Sequence, residues 1–467
     1  MRKFARTISG VTPVAVMTKP MPCPGRCLYC PTYAETPQSY TPESPAVLRA
    51  RNAGHDAAEQ VRIRLKVLSD MGHPTDKIEL IIMGGTFLAA PRDYQYRFIK
   101  DCYDALNGTA SATLDEAKER NETAAHRCTG LCIETRPDWC GEEEVARMLE
   151  YGTTRVEIGV QTLDDDIYRL VRRGHTVADV VTATSLLKKH GFKVYYHWMP
   201  GLPGATPEKD LELSRRLFAD ESFRPDGLKL YPTMVIEGTE LDEWYRQGRY
   251  QPYDYETMLN LIVSIKSIVP KYIRIARVLR DIPPKYITGG CKDSLRDVAR
   301  QRMQQAGLQC RCIRCREYGH RVRRGETPGE PHLVRMDYEA SGGREIFLSF
   351  EDEDETLFGL LRLRIQPEPA SAPGQGSERN RALVRELHVF GPEVPLSEQI
   401  DAAAQHKGLG RTLLQEAERI AAEEFQAEEI LILSGIGARE YYRLESGYTL
   451  RESYMVKGLP ATEPAVK

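Results

Sequence analysis

The sequence lacks any long hydrophobic run. No apolar stretch approaches the roughly 20 residues that a helix needs to cross a bilayer, and the first residues lack the apolar core of a signal peptide. An excess of one charge sign is also missing, because the formal net charge is only -3, which by itself predicts no polyanionic partner. These absences argue against a membrane protein and a secreted one, so we expect a soluble chain without membrane contact.

Cysteine, by contrast, occurs in two closely spaced groups. The eleven cysteines cannot all pair, and spacings of two to four residues are typical of metal ligands. A reducing cytoplasm suits such thiols better than the cell exterior, so we expect a cytoplasmic protein. The length of 467 residues leaves room for two or three domains.

The first group is Cys23, Cys27 and Cys30, in a segment rich in proline and glycine. Such a segment loops and can bring three sulfurs around one point. Three thiolates satisfy three irons of a 4Fe-4S cluster, which normally takes four cysteines. The remaining iron is open to the amino and carboxylate groups of S-adenosylmethionine, and the spacing resembles the radical S-adenosylmethionine signature. A structural zinc knuckle or unrelated thiols are alternatives, but no cysteine or histidine follows closely after Cys30.

Residues 1–280 alternate short β-branched runs with helical periodicity, which is typical of an α/β fold with a parallel sheet. Six or seven such units predict a full or partial TIM-type barrel, with its chemistry at the carboxyl ends of the strands. A single long helix is expected over residues 46–71. The predicted strands are 14–17, 78–83, 131–135, 155–160, 193–199, 227–231 and 273–278.

Residues with a chemical use follow these strand ends. Paired glycines let a backbone approach a ligand's amino group, and an arginine can bind a carboxylate with two hydrogen bonds. The paired glycines are Gly84 and Gly85, and the arginine is Arg136. The carboxylate of Glu134 and the amide of Gln161 can hydrogen-bond a ribose. Lys229 and Tyr231 offer a cation and a hydroxyl near the open iron. Each alone could be turn chemistry or a satisfied polar group, but their agreement favours one cofactor site.

Residues 281–330 form a basic bridge. From Lys266 to Arg324 there are sixteen lysines and arginines against four acids, and an acidic run from Glu351 to Glu355 offsets part of this excess. A long basic excess beside metal-type cysteines predicts a nucleic-acid surface.

The second cysteine group comprises Cys310, Cys312 and Cys315. Arginines interleave these thiols, so we expect an exposed zinc site rather than part of a core, with His320 or Cys291 as fourth ligand. Zinc would then hold a positively charged loop whose Arg314 and Arg316 dock on phosphates. A redox-active thiol set and free surface cysteines are the alternatives.

Residues 331–467 change to antiparallel β signals followed by a glycine-containing helix start. The order of strand, Q-x-x-G-x-G helix, strand and tyrosine-bearing helix is similar to the GCN5-related N-acetyltransferase (GNAT) fold, which binds acetyl-CoA. Backbone N–H groups at such a helix start can hold a pyrophosphate. The residues concerned are Gln405, Gly408, Leu409, Gly410, Arg411, Tyr441 and Tyr442. Alternatively, the glycine segment merely caps a helix and the tyrosines merely pack.

The two domains together resemble the catalytic subunits of Elongator, enzymes that carboxymethylate the wobble uridine of tRNA, in their compact bacterial or archaeal form. The resemblance covers nearly the whole chain. It is carried by R-T-I-S-G (6–10), M-G-G-T-F (83–87), I-E-T-R-P-D (133–138), E-I-G-V-Q (157–161), R-P-D-G-L-K-L-Y-P (224–232), R-E-L-H-V (385–389) and Y-M-V-K (454–457).

The resemblance implies a reaction. A 5′-deoxyadenosyl radical takes hydrogen from the methyl group of acetyl-CoA, the carbon radical adds to carbon 5 of the wobble uridine, and thioester hydrolysis leaves a carboxymethyl group. The anticodon stem-loop of tRNA is then the partner, and its uridine must leave its stack to reach the barrel. The cluster needs an electron donor, and a homodimer is one assembly that the sequence leaves open. The two sites should share one cavity, because a carbon radical cannot diffuse between separate pockets.

The resemblance also implies residue roles. One strand, with Glu386, Leu387, His388 and Val389, lines the thioester, and the helix start at Leu409, Gly410 and Arg411 holds the pyrophosphate. Tyr442 contacts the CoA, and Tyr441 beside it belongs to the same cofactor-binding set. Lys77, just before the second barrel strand, touches acetyl-CoA from the barrel side. The residues expected to carry the chemistry are Lys229, Tyr231, His388 and Glu386.

Two other functions remain open at this point. The first is a protein lysine acetyltransferase with a structural iron–sulfur domain, which needs a general base such as Glu386 near the thioester. The second is a non-catalytic tRNA-binding scaffold. The complete cysteine triad and the glycine-bearing strand ends argue against that scaffold.

Overall fold

The structure is a computed structural model that describes residues 9–368, 379–391 and 408–460. The first nine strands are β1 (Thr12–Met17), β2 (Lys77–Met83), β3 (Arg127–Thr135), β4 (Arg155–Gln161), β5 (Lys193–Trp198), β6 (Gly227–Leu230), β7 (Val235–Ile236), β8 (Arg274–Val278) and β9 (Ile287–Gly289). Seven of them form one parallel sheet in the order β1-β2-β3-β4-β5-β6-β8, while β7 and β9 form a separate antiparallel pair. The sheet order confirms the partial TIM-type barrel, which is open between β1 and β8 in the described part of the chain.

Thirteen α-helices alternate with these strands or follow them in the bridge. They are α1 (Pro45–Asn52), α2 (Ala57–Asp70), α3 (Arg92–Asn107), α4 (Leu114–Asn121), α5 (Glu142–Glu150), α6 (Asp165–Leu170), α7 (Val177–Lys189), α8 (Pro207–Ala219), α9 (Glu240–Arg246), α10 (Tyr255–Ser267), α11 (Leu295–Gln305), α12 (Ile313–Arg316) and α13 (Tyr318–Arg323). Among the helices that the structure describes, none is long and apolar enough to cross a bilayer.

The single helix expected over residues 46–71 is wrong, because the chain breaks it into α1 and α2. Gly54 and His55 both adopt φ of 58°, a left-handed conformation that ends a right-handed helix. Asp56 then caps α2, with its side chain accepting a hydrogen bond from the backbone N–H of Glu59 at 2.7 Å.

Where the structure describes it, the second part forms a seven-stranded sheet with two α-helices. Its strands are β10 (His332–Ala340), β11 (Gly343–Glu351), β12 (Leu357–Glu368), β13 (Arg379–Val389), β14 (Glu429–Ile432), β15 (Thr449–Arg451) and β16 (Tyr454–Gly458), and its helices are α14 (Leu409–Arg419) and α15 (Arg439–Ser446). The sheet order is β10-β11-β12-β13-β14-β16-β15. It confirms the antiparallel signals and the GNAT-type order of strands and helices.

Strands β13 and β14 pair over only three residues. Ala382 to Val384 pair in parallel with Ile430 to Ile432, while β13 continues to Val389. A register shift in the pairing of β12 with β13 lies at Arg362, next to the point of divergence. The two central strands of the second sheet therefore open into a cleft toward the start of α14.

The second sheet packs against the amino ends of the barrel strands. Arg385 of β13 donates two hydrogen bonds of 2.7 Å to Asp226, immediately before β6, and Lys193 at the start of β5 lies 3.3 Å from Glu386. The first cysteine group instead lies beyond the carboxyl ends of the strands. The two candidate sites therefore occupy opposite ends of the barrel.

Candidate active site

A cavity of about 720 Å³ lies at the carboxyl ends of the barrel strands. The thiols of Cys23, Cys27 and Cys30 line it, as the looped segment predicted. Between them, Leu28 and Tyr29 are buried in an apolar cluster, and the backbone N–H of Leu28 donates to the carbonyl of Val171. Burial and the neighbouring Cys27 raise the pKa of Cys30 to about 11, so the Cys30 thiol ionises readily only beside a positive partner such as cluster iron.

Two side chains that sequence reasoning missed donate to these sulfurs. Arg173 Nη1 lies 3.3 Å from Cys27 Sγ, and Gln38 Nε2 lies 3.3 Å from Cys30 Sγ. Arg173 comes from the segment after β4, far from Cys27 in sequence, so only its position in the fold identifies it. Both donors are placed to stabilise thiolates and to tune a cluster bound there.

The residues present fit a polar cofactor beside the thiols. Arg136 Nη1, Gln161 Oε1 and the Tyr29 hydroxyl are buried around this cavity without a hydrogen-bond partner among the described residues. The other donors of Arg136 are satisfied by Asp138 and by the carbonyl of Arg173. Because unpaired buried polar groups are costly, these three atoms indicate that a ligand with polar groups belongs here.

At the paired glycines, Gly84 and Gly85, the backbone can come close to that ligand. Gly84 has φ of 127°, and a Cβ there would lie 2.0 Å from Thr18 Oγ1, so no other residue fits. Gly85 has φ of 71° and lines the cavity. The backbone at the end of β2 is thus exposed to the site, as glycine at this strand end predicts.

An ion-pair network occupies the barrel interior beneath the thiols. Lys229 Nζ contacts Glu157 and lies 2.8 Å from Glu134 Oε1, and His197 Nε2 donates to Glu157 at 3.0 Å. Burial alone would lower the pKa of Lys229, but the two carboxylates raise it well above its usual range. Tyr40 donates to the second oxygen of Glu134 at 3.3 Å. Glu134 is therefore already engaged by two donors on this side of the cavity.

Tyr231 lies at the upper end of this network. Its ring meets that of His197 edge-on, with the two ring centroids 5.2 Å apart. The guanidinium carbon of Arg280 lies over the Tyr231 ring, 5.9 Å from its centroid. Burial raises the pKa of the Tyr231 hydroxyl. The structure thus brings Lys229 and Tyr231 together, and adds Glu157, His197 and Arg280 to the residues that sequence reasoning found.

The acetyl-CoA candidates of the second domain meet at the start of α14. A Cβ on Gly410 would lie 3.3 Å from the Tyr441 hydroxyl and 3.4 Å from Val389 Cγ2, so these three residues are adjacent. Gly408, with φ of 99°, is the N-cap residue of α14, so the N–H groups of Leu409, Gly410 and Arg411 lie in the first turn. Gln405 lies outside the described residues.

Tyr441 and Tyr442 have different environments. Tyr441 is 39% exposed and faces the glycine helix start, whereas Tyr442 is 6% exposed and packs in the core of the second domain against Tyr448. Leu387 also packs against that core. Tyr441 is therefore the tyrosine that the fold presents to a ligand on this cleft.

Glu386 and His388 face the barrel and are engaged there. Lys193 and Arg362 hold the pKa of Glu386 well below its usual range, although burial alone would raise it. His388 Nε2–H donates to the carbonyl of Ser9 at 2.6 Å, and burial lowers the pKa of its imidazole. A Glu386 carboxylate locked in two ion pairs is poorly suited to act as a general base.

Lys77 begins β2 at the amino edge of the barrel, on the side that faces the second domain. It pairs in register with Arg127, and Arg127 Nη1 lies 3.5 Å from Glu440 of α15. The contact of Lys77 with acetyl-CoA stays a prediction.

The expectation of one shared cavity is wrong for the described residues. The cavity beside the cluster thiols is lined by residues up to Arg314 and by none of the second domain. Between the two sites the barrel interior is filled by Arg155, which pairs with Glu79 and Glu157, and by Tyr195 beneath it. Large paired side chains close the axis of the barrel.

The second cysteine group is gathered but not exposed. The sulfurs of Cys310, Cys312 and Cys315 lie within 4.8 Å of one another, in a set that includes neither His320 nor Cys291. Cys310 and Cys312 are buried in the barrel core, so the expected exposed loop is wrong. Two of the interleaved arginines, Arg311 and Arg316, pair with Glu355 and Glu351, whereas Lys266 Nζ lies 3.8 Å from Cys315 Sγ.

The acidic run of the second domain neutralises part of the basic bridge. Arg316 is fully buried and lies 2.8 Å from Glu351, and Arg311 pairs with Glu355. The predicted phosphate-docking role of Arg316 is therefore wrong, because its charge is already paired inside the protein. Arg314 instead lines the main cavity.

Comparisons with known proteins agree with this architecture. The model of the Radical SAM superfamily matches residues 22–217, that of the Radical_SAM C-terminal domain matches 225–305, and that of the Acetyltransferase (GNAT) family matches 315–448. The fold and the site thus define a radical S-adenosylmethionine enzyme with a GNAT domain.

Full-length relatives identify the family. The chain is 64% identical over 98% of its length to the whole of a protein of Dehalococcoides mccartyi strain CBDB1 named tRNA uridine(34) acetyltransferase. It is 44% identical to human Elongator complex protein 3, covering 98% of this chain and 86% of that protein. The solved structure of the archaeal Methanocaldococcus infernus Elp3 with an N-terminal deletion matches 97% of this chain and all of that chain, at TM-score 0.85 and 47% identity. The chain belongs to the Elongator complex protein 3 family.

Proposed function

We propose that this protein forms 5-carboxymethyluridine at the wobble uridine of tRNA, using acetyl-CoA and S-adenosylmethionine. One observation carries the proposal: a single chain joins a cavity with three cluster thiols and unpaired buried polar atoms to a GNAT cleft, at 64% identity to a relative named tRNA uridine(34) acetyltransferase. Residues 1–280 supply the radical site, 281–330 the bridge, and 331–467 the acetyl-CoA site.

The barrel residues have roles at the first site. Cys23, Cys27 and Cys30 hold a 4Fe-4S cluster, which together with S-adenosylmethionine supplies radical chemistry when both are bound. The unpaired Nη1 of Arg136 binds the carboxylate of that cofactor, and the backbone at Gly84 and Gly85 approaches its amino group.

The other polar groups of this cavity divide between cofactor and uridine. Gln161, through its unpaired amide oxygen, accepts from the cofactor ribose, with Glu134 beside it. Lys229, held by two carboxylates, and Tyr231 face the cavity and orient the uridine. Protein groups here bind, orient and exclude water, while an external electron donor supplies the electrons.

The second-domain cleft holds acetyl-CoA. The helix start at Leu409, Gly410 and Arg411 offers N–H groups to the pyrophosphate, and Tyr441 contacts the CoA. Val389 lines the thioester beside Gly410, with Leu387 behind it, and Glu386 and His388 close the barrel side. Lys77 reaches the same region from β2.

The open seam between β1 and β8 offers a route between the two ends of the barrel. The main cavity follows this seam, with Pro13 and Ala15 on one edge and Ala276 on the other. Ser9, shortly before Pro13, contacts His388 of the second domain. An acetyl group or a flipped base that moved along the seam would avoid the filled barrel axis.

The three thiols of Cys310, Cys312 and Cys315 fit a zinc ion with one position left for another ligand. Zinc there would fix the bridge beneath the cavity rather than present it to solvent. All eleven cysteines are unpaired thiols, which agrees with a reducing, cytoplasmic location.

A reconstituted reaction tests the proposal. Reduced protein with cluster, S-adenosylmethionine, acetyl-CoA and tRNA should give 5-carboxymethyluridine by mass spectrometry of digested nucleosides. Cys27→Ser should abolish the product, whereas Cys140→Ser, a buried cysteine outside the cluster group, should retain it. Equal product from Cys27→Ser would refute the radical assignment.

The same preparation separates the competing function. Without tRNA, incubation with acetyl-CoA and a lysine-rich protein should give no acetyl-lysine, because the Glu386 carboxylate is held by Lys193 and Arg362. Acetylation at a rate comparable to nucleoside formation would favour a protein acetyltransferase. Tight tRNA binding without either product would favour a scaffold.

A further inference from the structure

The loop between β14 and α15 packs on barrel strand β3 at a distance that only glycine allows. A Cβ on Gly435 would lie 2.1 Å from the carbonyl oxygen of Thr129, and one on Gly437 would lie 2.4 Å from Arg127 Cβ. Neither glycine has a positive φ. Their lack of a side chain therefore serves close approach between the domains rather than an unusual backbone conformation.

The residue between these glycines belongs to the barrel core. Ile436 is fully buried and is part of the same apolar cluster as the barrel strands. A Cβ on Gly152 would lie 2.9 Å from Ile436 Cδ1 and 2.9 Å from the Tyr103 hydroxyl, so Ile436 fills a socket that Gly152 leaves open. The segment from Gly435 to Gly437, which we call the docking loop, is thus inserted into the first domain.

Ion pairs continue the same contact into α15. Glu122, after α4, accepts from Arg439 at 3.1 Å and also from Arg443, one turn further along α15. Glu122 and Arg439 are 8% and 7% exposed, so this pairing is buried enough to orient the helix. Barrel residues therefore fix α15 in position as well as the docking loop.

Helix α15 carries Tyr441, whose hydroxyl faces Gly410 at the start of α14. We propose that Gly435 and Gly437 are positioning residues for acetyl-CoA, because their packing on β3 places Tyr441 against the helix start that binds the ligand. The proposal rests on the proposed function, since it takes this cleft as the acetyl-CoA site. Acetyl-CoA then binds tightly only when the second domain is seated on the barrel.

Strand β3 connects the two sites physically. Its amino-terminal part, at Arg127 and Thr129, supports the docking loop, and its carboxyl end supplies Glu134 with Arg136 next to it in the main cavity. Strand β3 therefore contributes residues to the barrel cavity and also supports the docking loop.

Calorimetric titration of acetyl-CoA tests the proposal on the full chain with its cluster reconstituted. Gly437→Ala and Gly435→Ala should raise the dissociation constant at least about tenfold, the change that 1.4 kcal/mol produces. Gly458→Ala is the matched control, because a Cβ there has no neighbour within 4 Å and its φ is not positive. Its dissociation constant and the cluster absorption of all variants should equal those of the wild type.

Tyr441 decides whether the glycines act through positioning. In a Tyr441→Ala background, Gly437→Ala should cause little further loss of affinity, because the group that it positions is already gone. Additive losses would overturn the proposal, as would wild-type affinity in Gly437→Ala.

If the glycine variants fail to fold, Glu122→Gln replaces them. This variant should raise the dissociation constant of acetyl-CoA severalfold, and an unchanged dissociation constant would overturn the proposal equally. A wild type that fails to bind acetyl-CoA would instead refute the proposed function.

Discussion

Arg314 and Arg316 lie two positions apart in the bridge, yet their guanidinium groups have different surroundings. Arg316 is enclosed, contacting Glu351 and the carbonyl of Lys271. Arg314 lines the main cavity, where burial and the neighbouring cations Arg296 and Arg274 lower its pKa to about 10. A cation that like charges destabilise is stabilised when an anion binds beside it. A cation that is already paired with a carboxylate gains little further stabilisation from a second anion.

Matched substitutions separate these two roles. Arg314→Gln should weaken tRNA binding and reduce the slope of log affinity against log salt by about one, with little change in the free energy of unfolding. Arg316→Gln should leave the salt slope unchanged and destabilise the fold by about 3–5 kcal/mol, because Glu351 loses a buried partner. Filter binding across salt concentrations and urea unfolding measure both. A lower slope for Arg316→Gln would contradict the structure.

At the scale of elements, helix α8 anchors the loop that follows β5. Asp210 Oδ2 accepts from the backbone N–H of Gly201 at 2.7 Å and from the Tyr253 hydroxyl at 2.9 Å. Burial raises the pKa of Asp210 to about 6. The loop leads from His197 and Met199, which line the cavity, so this carboxyl group supports one wall of the site.

The raised pKa of Asp210 predicts a pH dependence of stability. Between about pH 4 and pH 6 the folded state binds more protons than the unfolded chain, so this group's contribution falls as pH rises, by at most about 3 kcal/mol. Above pH 6 it is lost. Urea unfolding at pH 4.5 and pH 6.5 should show a stability difference between wild type and Asp210→Asn that changes across this window. A constant difference would rule the shift out.

The elements themselves were predictable where one local pattern decides them. All seven predicted barrel strands overlap strands of the sheet, because buried parallel strands leave β-branched runs in the sequence. The break between α1 and α2 was missed, since apolar periodicity continues across Gly54 and His55 while the backbone turns left-handed there. Arg173 was missed because its partner, Cys27, is distant in sequence.

At the scale of the whole molecule, the two domains are joined by buried charges. Asp226 and Glu345 both accept from Arg385, Arg364 pairs with Glu345, and all four side chains are about 1% exposed or less. Although burial alone would raise it, Arg385 holds the pKa of Asp226 well below its usual range. The R-P-D-G and R-E-L-H-V stretches thus contribute the interface as well as the sites beside them.

Removing one of these charges should separate the unfolding of the domains. Asp226→Asn leaves Arg385 without its bidentate partner, so we expect a loss of about 3–5 kcal/mol and, in calorimetry, two transitions in place of one. Asp337→Asn removes an acid that also pairs with two arginines, but at the surface, and should cost less than about 1 kcal/mol. A single unshifted transition for Asp226→Asn would contradict the interface.

The sequence by itself determined the parts whose signals are local: the alternating barrel, the three-thiol loop, the glycine strand ends and the glycine helix start. The tertiary structure decided everything that depends on residues meeting from distant segments. It placed the two sites at opposite ends of the barrel and buried the second thiol group. It also paired Arg316 with Glu351 and Glu386 with Arg362, and it set Gly435 and Gly437 against β3. The physical reason is that periodicity and spacing encode which face of an element is buried, whereas charge pairing and close approach depend on three-dimensional distance.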